Sequence, residues 1–247
     1  MRWFAVLLVF LVACTQAETQ RQQEVQRKYK YNLDIATSYV GSGDFKKALI
    51  YAFKAERLKK TPEVYNVEGL AYLGLAEYDK ALAAFEKAVK LDPNYSEAWA
   101  NMAAVYLQRG KLDRAVEVSK RALSNRFFMH PEVAYTNMAE AYFRMGKEKK
   151  ALECLDKALR YNIYYAPAYE KLVGYYMAKG EYSKVRGVLE DARAAGVVSP
   201  GLTFFRALLL IRDGDVETAE RLLRAILRDN PFSPWAKQAR QYLESLR

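Results

Sequence analysis

The stretch PEVYNVEGLAYLGLAEYDKALAAFEKAVKLDP, residues 62–93, decides the fold of this chain. Small and aromatic residues recur in it at three- and four-residue steps: Tyr65, Gly69 and Tyr72 in one half, then Ala81, Phe85 and Ala88 in the other. Such spacing places side chains on one face of a helix, so the stretch predicts two short amphipathic helices with a turn near Ala76. One such hairpin cannot bury its apolar face alone, and the pattern therefore requires stacked copies.

Copies of this pattern run from about residue 29 to residue 233. The turn position recurs at Gly43, Ala76, Gly110, Gly146, Gly180 and Gly214, and a tyrosine lies four positions earlier in the first five copies. The register predicts repeats at 29–61, 62–95, 96–131, 132–165, 166–199 and 200–233. These columns resemble the tetratricopeptide-repeat (TPR) family over most of the chain. The resemblance implies an all-α fold, a right-handed superhelical solenoid of six helical hairpins.

A capping helix is predicted after the sixth repeat, over residues 234–247. Its apolar face would cover the last hairpin with Ala236, Ala239, Tyr242, Leu243 and Leu246, while its other face is polar. Terminal caps with a polar outer face are what a solenoid needs to remain soluble.

The charge is concentrated near the start of the repeats. The chain has a formal net charge of +10, and residues 27–60 carry nine Lys or Arg side chains against three acidic ones. No motif that reads RNA or DNA accompanies this charge, so we expect no nucleic-acid partner. Two interpretations stay open: contact with anionic lipid headgroups, or a solvated basic end.

The N-terminus has the form of an export signal, with Arg2 followed by an apolar run over residues 3–12. The run is too short to span a bilayer. The segment Leu11-Val12-Ala13-Cys14 resembles the bacterial lipobox. That resemblance implies cleavage after residue 13 and acylation of Cys14, and Thr15 in place of aspartate implies sorting to the outer membrane. The alternative is an ordinary signal peptide with an incidental cysteine.

The predicted domain organisation has three parts: a lipoprotein signal peptide at 1–13, an acylated cysteine with a flexible tether at 14–28, and the TPR solenoid at 29–247. The tether is predicted because residues 15–28 (TQAETQRQQEVQRK) contain almost no apolar side chains and no helical stripe. The repeats would then face the periplasm.

No catalytic motif is found in the sequence, and we expect no enzyme activity, cofactor, metal site or small-molecule substrate. His130 is the only histidine, which leaves no histidine pair for a metal ion. The sequence has no Cys-x-x-Cys, phosphate-binding glycine loop or Gly-x-Ser-x-Gly elbow. Cys154 lies among leucines on a helix, where a cysteine is usually a small buried side chain.

A binding groove is the candidate functional site. In TPR proteins the first helix of each hairpin lines the concave groove, and the residue after the tyrosine column would face it. The predicted groove residues are Val40, Leu73, Leu107, Phe143, Met177 and Ile211 of this column, joined by Leu33, Leu70, Phe204 and Leu208. Their apolar character predicts an apolar or amphipathic partner segment. The alternative is that some of these side chains pack between neighbouring hairpins.

A longer connector separates the third and fourth repeats, where the register slips by two residues. It contains Phe127 and Phe128, whose exposure would be unfavourable, so we expect the connector to pack against a neighbouring hairpin. It could instead offer an apolar knob to a partner.

The stretch Pro131-Glu132-Val133-Ala134-Tyr135-Thr136-Asn137-Met138-Ala139 resembles the start of a middle repeat in the pilotin lipoproteins of type IV pilus systems, with Ala139 in place of their usual glycine. This resemblance implies a partner, the secretin subunit, which such proteins escort to the outer membrane and help to assemble into a ring. Two alternatives stay open: a lipoprotein adaptor for another envelope or secretion complex, and a cytoplasmic TPR regulator if the lipobox interpretation is wrong.

Overall fold

The structure is a computed structural model that describes the backbone of residues 2–231 and 233–246, and the side chains of residues 18–231 and 233–246. Over these ranges the regular elements are all α-helices and none is a strand. The thirteen helices are α1 (Arg2–Ser42), α2 (Phe45–Leu58), α3 (Pro62–Gly74), α4 (Tyr78–Leu91), α5 (Ser96–Gln108), α6 (Leu112–Leu123), α7 (Pro131–Arg144), α8 (Glu148–Tyr161), α9 (Ala166–Lys179), α10 (Tyr182–Ala194), α11 (Pro200–Arg212), α12 (Val216–Asp229) and α13 (Pro234–Ser245).

The helices pair in chain order, α1 with α2, α3 with α4 and so on to α11 with α12, and α13 packs on α11 and α12. This confirms the predicted fold class of helical hairpins followed by a capping helix. The chain divides into two compact units, residues 1–128 and 129–247. Each unit has its own buried core, and the core of the second includes Leu223 and Ile226 of α12 with Ala239 of α13.

Close helix approach inside a hairpin depends on small residues. Phe85 of α4 is completely buried, as are Ala81 and Ala88 on the same helix. The Phe85 ring lies directly over Gly69 of α3, and a Cβ atom at Gly69 would overlap that ring. The glycine and phenylalanine that marked the pattern in the sequence therefore form one complementary contact.

The turns inside the hairpins share one geometry. The turn residue has a positive φ in each copy, from 59° at Ala76 to 90° at Gly214. The next residue donates its N–H to the carbonyl of the tyrosine-column residue, as Glu77 does to Tyr72 at 2.9 Å. This is the Schellman termination of a helix, which favours glycine because a Cβ is strained in the left-handed region. Ala76 is the one non-glycine residue with positive φ in the described chain.

The N-terminal segment departs from the prediction. Residues 18–28 are helical and continue α1 without a break into Tyr29. The prediction of a flexible tether is therefore wrong for these residues. They contain glutamine, glutamate, arginine and lysine, which favour helices, and no glycine or proline to end one. An exposed ion pair of 2.6 Å between Glu24 and Lys28 adds weak support. The predicted signal peptide, Cys14 and residues 15–17 lie outside the described side chains.

The connector before α7 is only partly packed. Phe128 is 9% exposed, whereas Phe127 is 72% exposed with the Arg126 guanidinium over its ring. Burial of Phe128 agrees with a packed connector, whereas the exposure of Phe127 contradicts the expectation for that ring. The connector turns here with the Phe128 N–H donating to the Asn125 carbonyl at 3.1 Å. Cys154 is buried in α8, as predicted.

Candidate protein-binding site

An aromatic pair is the centre of the candidate site, in the second unit. Phe143 lies near the end of α7, and Tyr175 lies on α9, the first helix of the next hairpin. Their rings stack with centroids 4.7 Å apart and an interplanar angle of 23°. Both side chains are only half-buried, so their outer faces remain available to a partner. Stacking across two hairpins fixes both rings before any partner binds.

Charged side chains hold this pair in position. The Tyr175 hydroxyl donates to Glu148 Oε2 at 2.8 Å, and Lys179 Nζ lies 2.5 Å from Glu148 Oε1. A second ion pair, Lys171 to Glu140 at 2.7 Å, joins α9 to α7. The carboxylate of Glu148 thus connects the start of α8 to two residues of α9.

These contacts set the protonation states around the pair. The hydrogen bond from Lys179 lowers the pKa of Glu148 below its usual value, and the bond from Tyr175 acts in the same direction. The hydrogen bond to Glu148 in turn raises the pKa of Tyr175. At neutral pH the glutamate is therefore ionised and the tyrosine is protonated, which is the combination that the hydrogen bond requires.

A surface pocket of about 380 Å³ opens beside the aromatic pair. It is lined by Glu140, Phe143, Glu148, Lys171, Gly174, Tyr175, Ala178 and Lys179. An apolar floor with charged groups around it suits a partner segment that inserts one apolar side chain and makes polar contacts at the rim.

The predicted groove residues of the first unit are mostly engaged in packing. Val40 contacts the buried cluster of Ala36, Ala52 and Val67, and Leu70 and Leu73 are half-buried. Leu107 is only 6% exposed, so its assignment to a partner-binding groove is wrong. The reason is that α5 is enclosed by α3, α4 and α6, which leaves most of its side chains buried.

In the second unit, Phe143 alone among the predicted groove residues lines the pocket. Met177 packs against the core around Val173, and Leu208 and Ile211 pack against the core formed by α11, α12 and α13. Phe204 is 2% exposed, with ring centroids 5.3 Å from Trp235 and 5.5 Å from Tyr242. Its assignment to the groove is wrong because helix α13 covers it.

Sequence reasoning missed Tyr175, Lys171 and Lys179. The sequence does contain a signal for Tyr175, because two tyrosines are adjacent at 175 and 176. Tyr176 occupies the tyrosine column, so Tyr175 is a second aromatic residue that the column does not account for. The column rule selected the residue after Tyr176, and the residue before it lies against Phe143 instead.

No group of three or more His, Cys, Asp or Glu side chains in the described part of the chain could hold a metal ion. None of the helices, as far as their residues are described, is long and apolar enough to cross a membrane.

Family models described as tetratricopeptide repeat match residues 72–127, 133–164 and 171–234. The chain belongs to the tetratricopeptide-repeat family. As a TPR protein it is an adaptor that binds protein partners, and the exposed pocket beside Phe143 and Tyr175 is a candidate contact.

Two solved TPR structures resemble this chain along most of its length. PilF of Pseudomonas aeruginosa is 15% identical, with a TM-score of 0.65, and the match covers 91% of this chain and 100% of PilF. PilW, described as a widely conserved type IV pilus biogenesis factor, is 17% identical with a TM-score of 0.65. The match covers 85% of this chain and 97% of PilW. At this level of identity the likeness establishes the fold alone.

The curated relatives match only in part. The chloroplastic TPR protein PYG7 of Arabidopsis thaliana is 38% identical over 61 residues, which is 25% of this chain and 20% of PYG7. This chain spans 20%, 9% and 12% of the first three curated relatives.

Proposed function

We propose that this TPR protein is a lipid-anchored adaptor of the outer membrane that binds a type IV pilus secretin subunit and assists its assembly. The observation that carries the proposal is the preformed aromatic pocket at Phe143 and Tyr175. Three features support it: the lipobox-like segment ending at Cys14, the pilotin-like stretch at 131–139, and the shared fold with two pilus proteins along nearly their whole length.

The mechanism is one of retention and delivery. An apolar side chain of the secretin segment would occupy the pocket against the rings of Phe143 and Tyr175, where it loses contact with water. Lys171 and Lys179, fixed by their glutamate partners, would orient polar groups of the segment at the rim. Acyl chains on Cys14 would hold the adaptor at the membrane, since each buried methylene contributes about 0.8 kcal/mol.

The first prediction concerns the aromatic pair. The double variant Phe143→Ser and Tyr175→Ser is expected to weaken binding of the partner by tenfold or more, because truncating a central aromatic contact commonly costs about 2 kcal/mol or more. The measurement is pull-down and titration of the partner's periplasmic segment. Phe53→Ser, which replaces a partly exposed phenylalanine on α2, is the matched control and should bind normally. Equal affinity of both variants would place the contact elsewhere.

The second prediction tests the anchor and the pilus role together. In a strain lacking this protein, the secretin is expected to lose its multimeric ring or to stay at the inner membrane, as judged by membrane fractionation and a gel that preserves multimers. Restoring the Cys14→Ser variant should not repair the defect, whereas restoring the unchanged chain should. A normal ring without the protein would contradict the pilus role and favour an adaptor for another envelope complex.

A further inference from the structure

A second cleft in the same unit lies between α10 and α11, away from the aromatic pair. Its volume is about 420 Å³, and its lining is mostly apolar. The deepest side chains belong to the hairpin core: Ala192 is 1% exposed, Leu202 is 6% exposed and Leu209 is 5% exposed. The loop at 196–199 closes one end, turning at Gly196 with a φ of 75°. Helices α10 and α11 touch at few points, which leaves the cleft open.

Three arginines border this cleft, and two of them are already engaged. Arg186 donates to both oxygens of Asp213 at 2.8 and 3.0 Å. Arg193 forms a two-point pair with Glu190, with distances of 2.5 and 2.9 Å. Arg206 is exposed and lies near the Glu190 carboxylate, whose pKa it helps to lower after Arg193 does. The cleft is therefore lined by three arginines against two carboxylates, Glu190 and Asp213, and Glu190 already pairs with Arg193, so the guanidinium of Arg206 can turn to a partner.

A smaller pocket of about 230 Å³ continues from the cleft toward α12. The two share three lining residues, Val198, Ser199 and Thr203. Val198 is 88% exposed at the junction, which is unusual for an apolar side chain. Two adjoining depressions joined by an apolar residue suit an extended chain with successive side chains more than they suit a single compact molecule.

We propose that this cleft binds an extended peptide segment in which apolar residues flank one acidic residue. The apolar side chains enter the two pockets, where they contact Leu202 and Val198. The carboxylate pairs with Arg206, whose planar guanidinium favours two-point contact with a carboxylate. Arg186 and Arg193 already pair with carboxylates of the protein. Arg206 is therefore the arginine that fixes the position of the acidic residue in the segment. The site is separate from the Phe143 pocket, so the adaptor could hold two segments at once.

The test uses the full chain with isotope-labelled valine and leucine methyl groups, observed by NMR. The probe is the peptide acetyl-Leu-Leu-Glu-Leu-amide, and its neutral match is acetyl-Leu-Leu-Gln-Leu-amide. The glutamate peptide is expected to shift the methyl signals of Val197, Val198 and Leu202 in a saturable way. The neutral peptide should bind about tenfold more weakly, as the loss of one charge-assisted hydrogen bond implies.

The Arg206→Gln variant separates this proposal from unspecific apolar contact. It should lose affinity for the glutamate peptide and keep the affinity for the glutamine peptide, and because Arg206 is exposed the fold should be retained. Equal affinities of both proteins for both peptides, or no shift at millimolar peptide, would overturn the proposal. Saturable shifts with sodium octanoate but not with the peptides would also overturn it, since the cleft would then bind an amphiphile. Binding of the secretin segment at Phe143 is measured separately, so either site can fail alone.

Discussion

Replacing Phe85 with alanine is expected to lower the free energy of unfolding by about 3–5 kcal/mol. The side chain is completely buried, and it is the largest of the fully buried side chains among the described residues. Its removal takes away the transfer free energy of a whole ring and leaves a cavity between α3 and α4. The backbone of Gly69, which lies against the ring, has no side chain to fill that space.

The same contact predicts a strong coupling between two positions. Gly69→Ala alone should also destabilise the protein, because its Cβ would overlap the Phe85 ring. In the double variant the new methyl group enters the space that the ring has left. The combined loss should therefore be smaller than the sum of the two single losses by about 1 kcal/mol or more, as expected for residues in direct contact.

The measurement combines urea unfolding with amide hydrogen exchange, since repeats contact mainly their neighbours and the loss is concentrated near the variant. Exchange should quicken most in α3 and α4. The matched control is Phe53→Ala on α2, which is 39% exposed and should change stability far less. Strict additivity of the two core variants would mean that Gly69 and Phe85 do not interact.

The helices could be predicted well from the sequence because their signals are local and repeated. The stretch at 62–93 has local start and stop signals: Thr61, the residue just before it, accepts a hydrogen bond from the Val64 N–H at the beginning of α3, and Ala76 ends the first helix in the left-handed region. Six copies of the same columns then fix the register, since a shift in one copy would bury its polar face.

The candidate site was predictable only in part, because burial depends on what packs against a helix. Phe204 occupies a position that would border a groove in an inner repeat, but α13 brings Trp235 and Tyr242 against it. Leu107 has the same sequence signal as Phe143 and is enclosed by neighbouring helices. Tyr175 was missed because a column rule takes one residue per turn and does not register a second adjacent ring.

The N-terminal segment illustrates a different limit. Its lack of apolar side chains correctly indicates that residues 18–28 do not enter the core, since all of them are exposed. Exposure alone does not determine backbone conformation. The segment is helical because its residues have high helix propensity and because α1 is already nucleated by packing from Tyr29 onward, which removes the cost of starting a helix.

A buried carboxyl group in the first unit predicts an unusual dependence of stability on pH. Glu68 of α3 is 3% exposed, and its Oε1 atom has no hydrogen-bond partner in the structure. The pKa of Glu68 is raised from 4.5 to about 7, mainly by burial and in part by the nearby Glu56 carboxylate, while Lys87 opposes the shift. The other groups around it are Tyr72, whose pKa is raised by burial and then by Glu68, and Tyr65, which donates to Glu56 at 3.0 Å.

The sign follows from the two protonation states. The folded chain holds the Glu68 proton more strongly than the unfolded chain, so this group favours folding most below pH 4.5. That contribution is lost as the pH rises through the folded pKa of about 7 and changes little at higher pH. A pKa difference of this size corresponds to about 3 kcal/mol in the free energy of unfolding.

Glu68→Gln should therefore remove most of the slope between pH 5 and pH 8, and at pH 8 it should be the more stable protein by up to about 3 kcal/mol. Urea unfolding across this range measures both quantities. Glu86→Gln, an exposed glutamate on α4, is the matched control and should keep the slope of the unchanged protein. If the Glu68→Gln protein retains that slope, the ionisation of Glu68 is not what weakens the fold above neutral pH. If the variant loses the slope, ionisation of Glu68 destabilises the α3–α4 hairpin as the pH rises. The repeat pattern itself does not require a carboxyl group at this position.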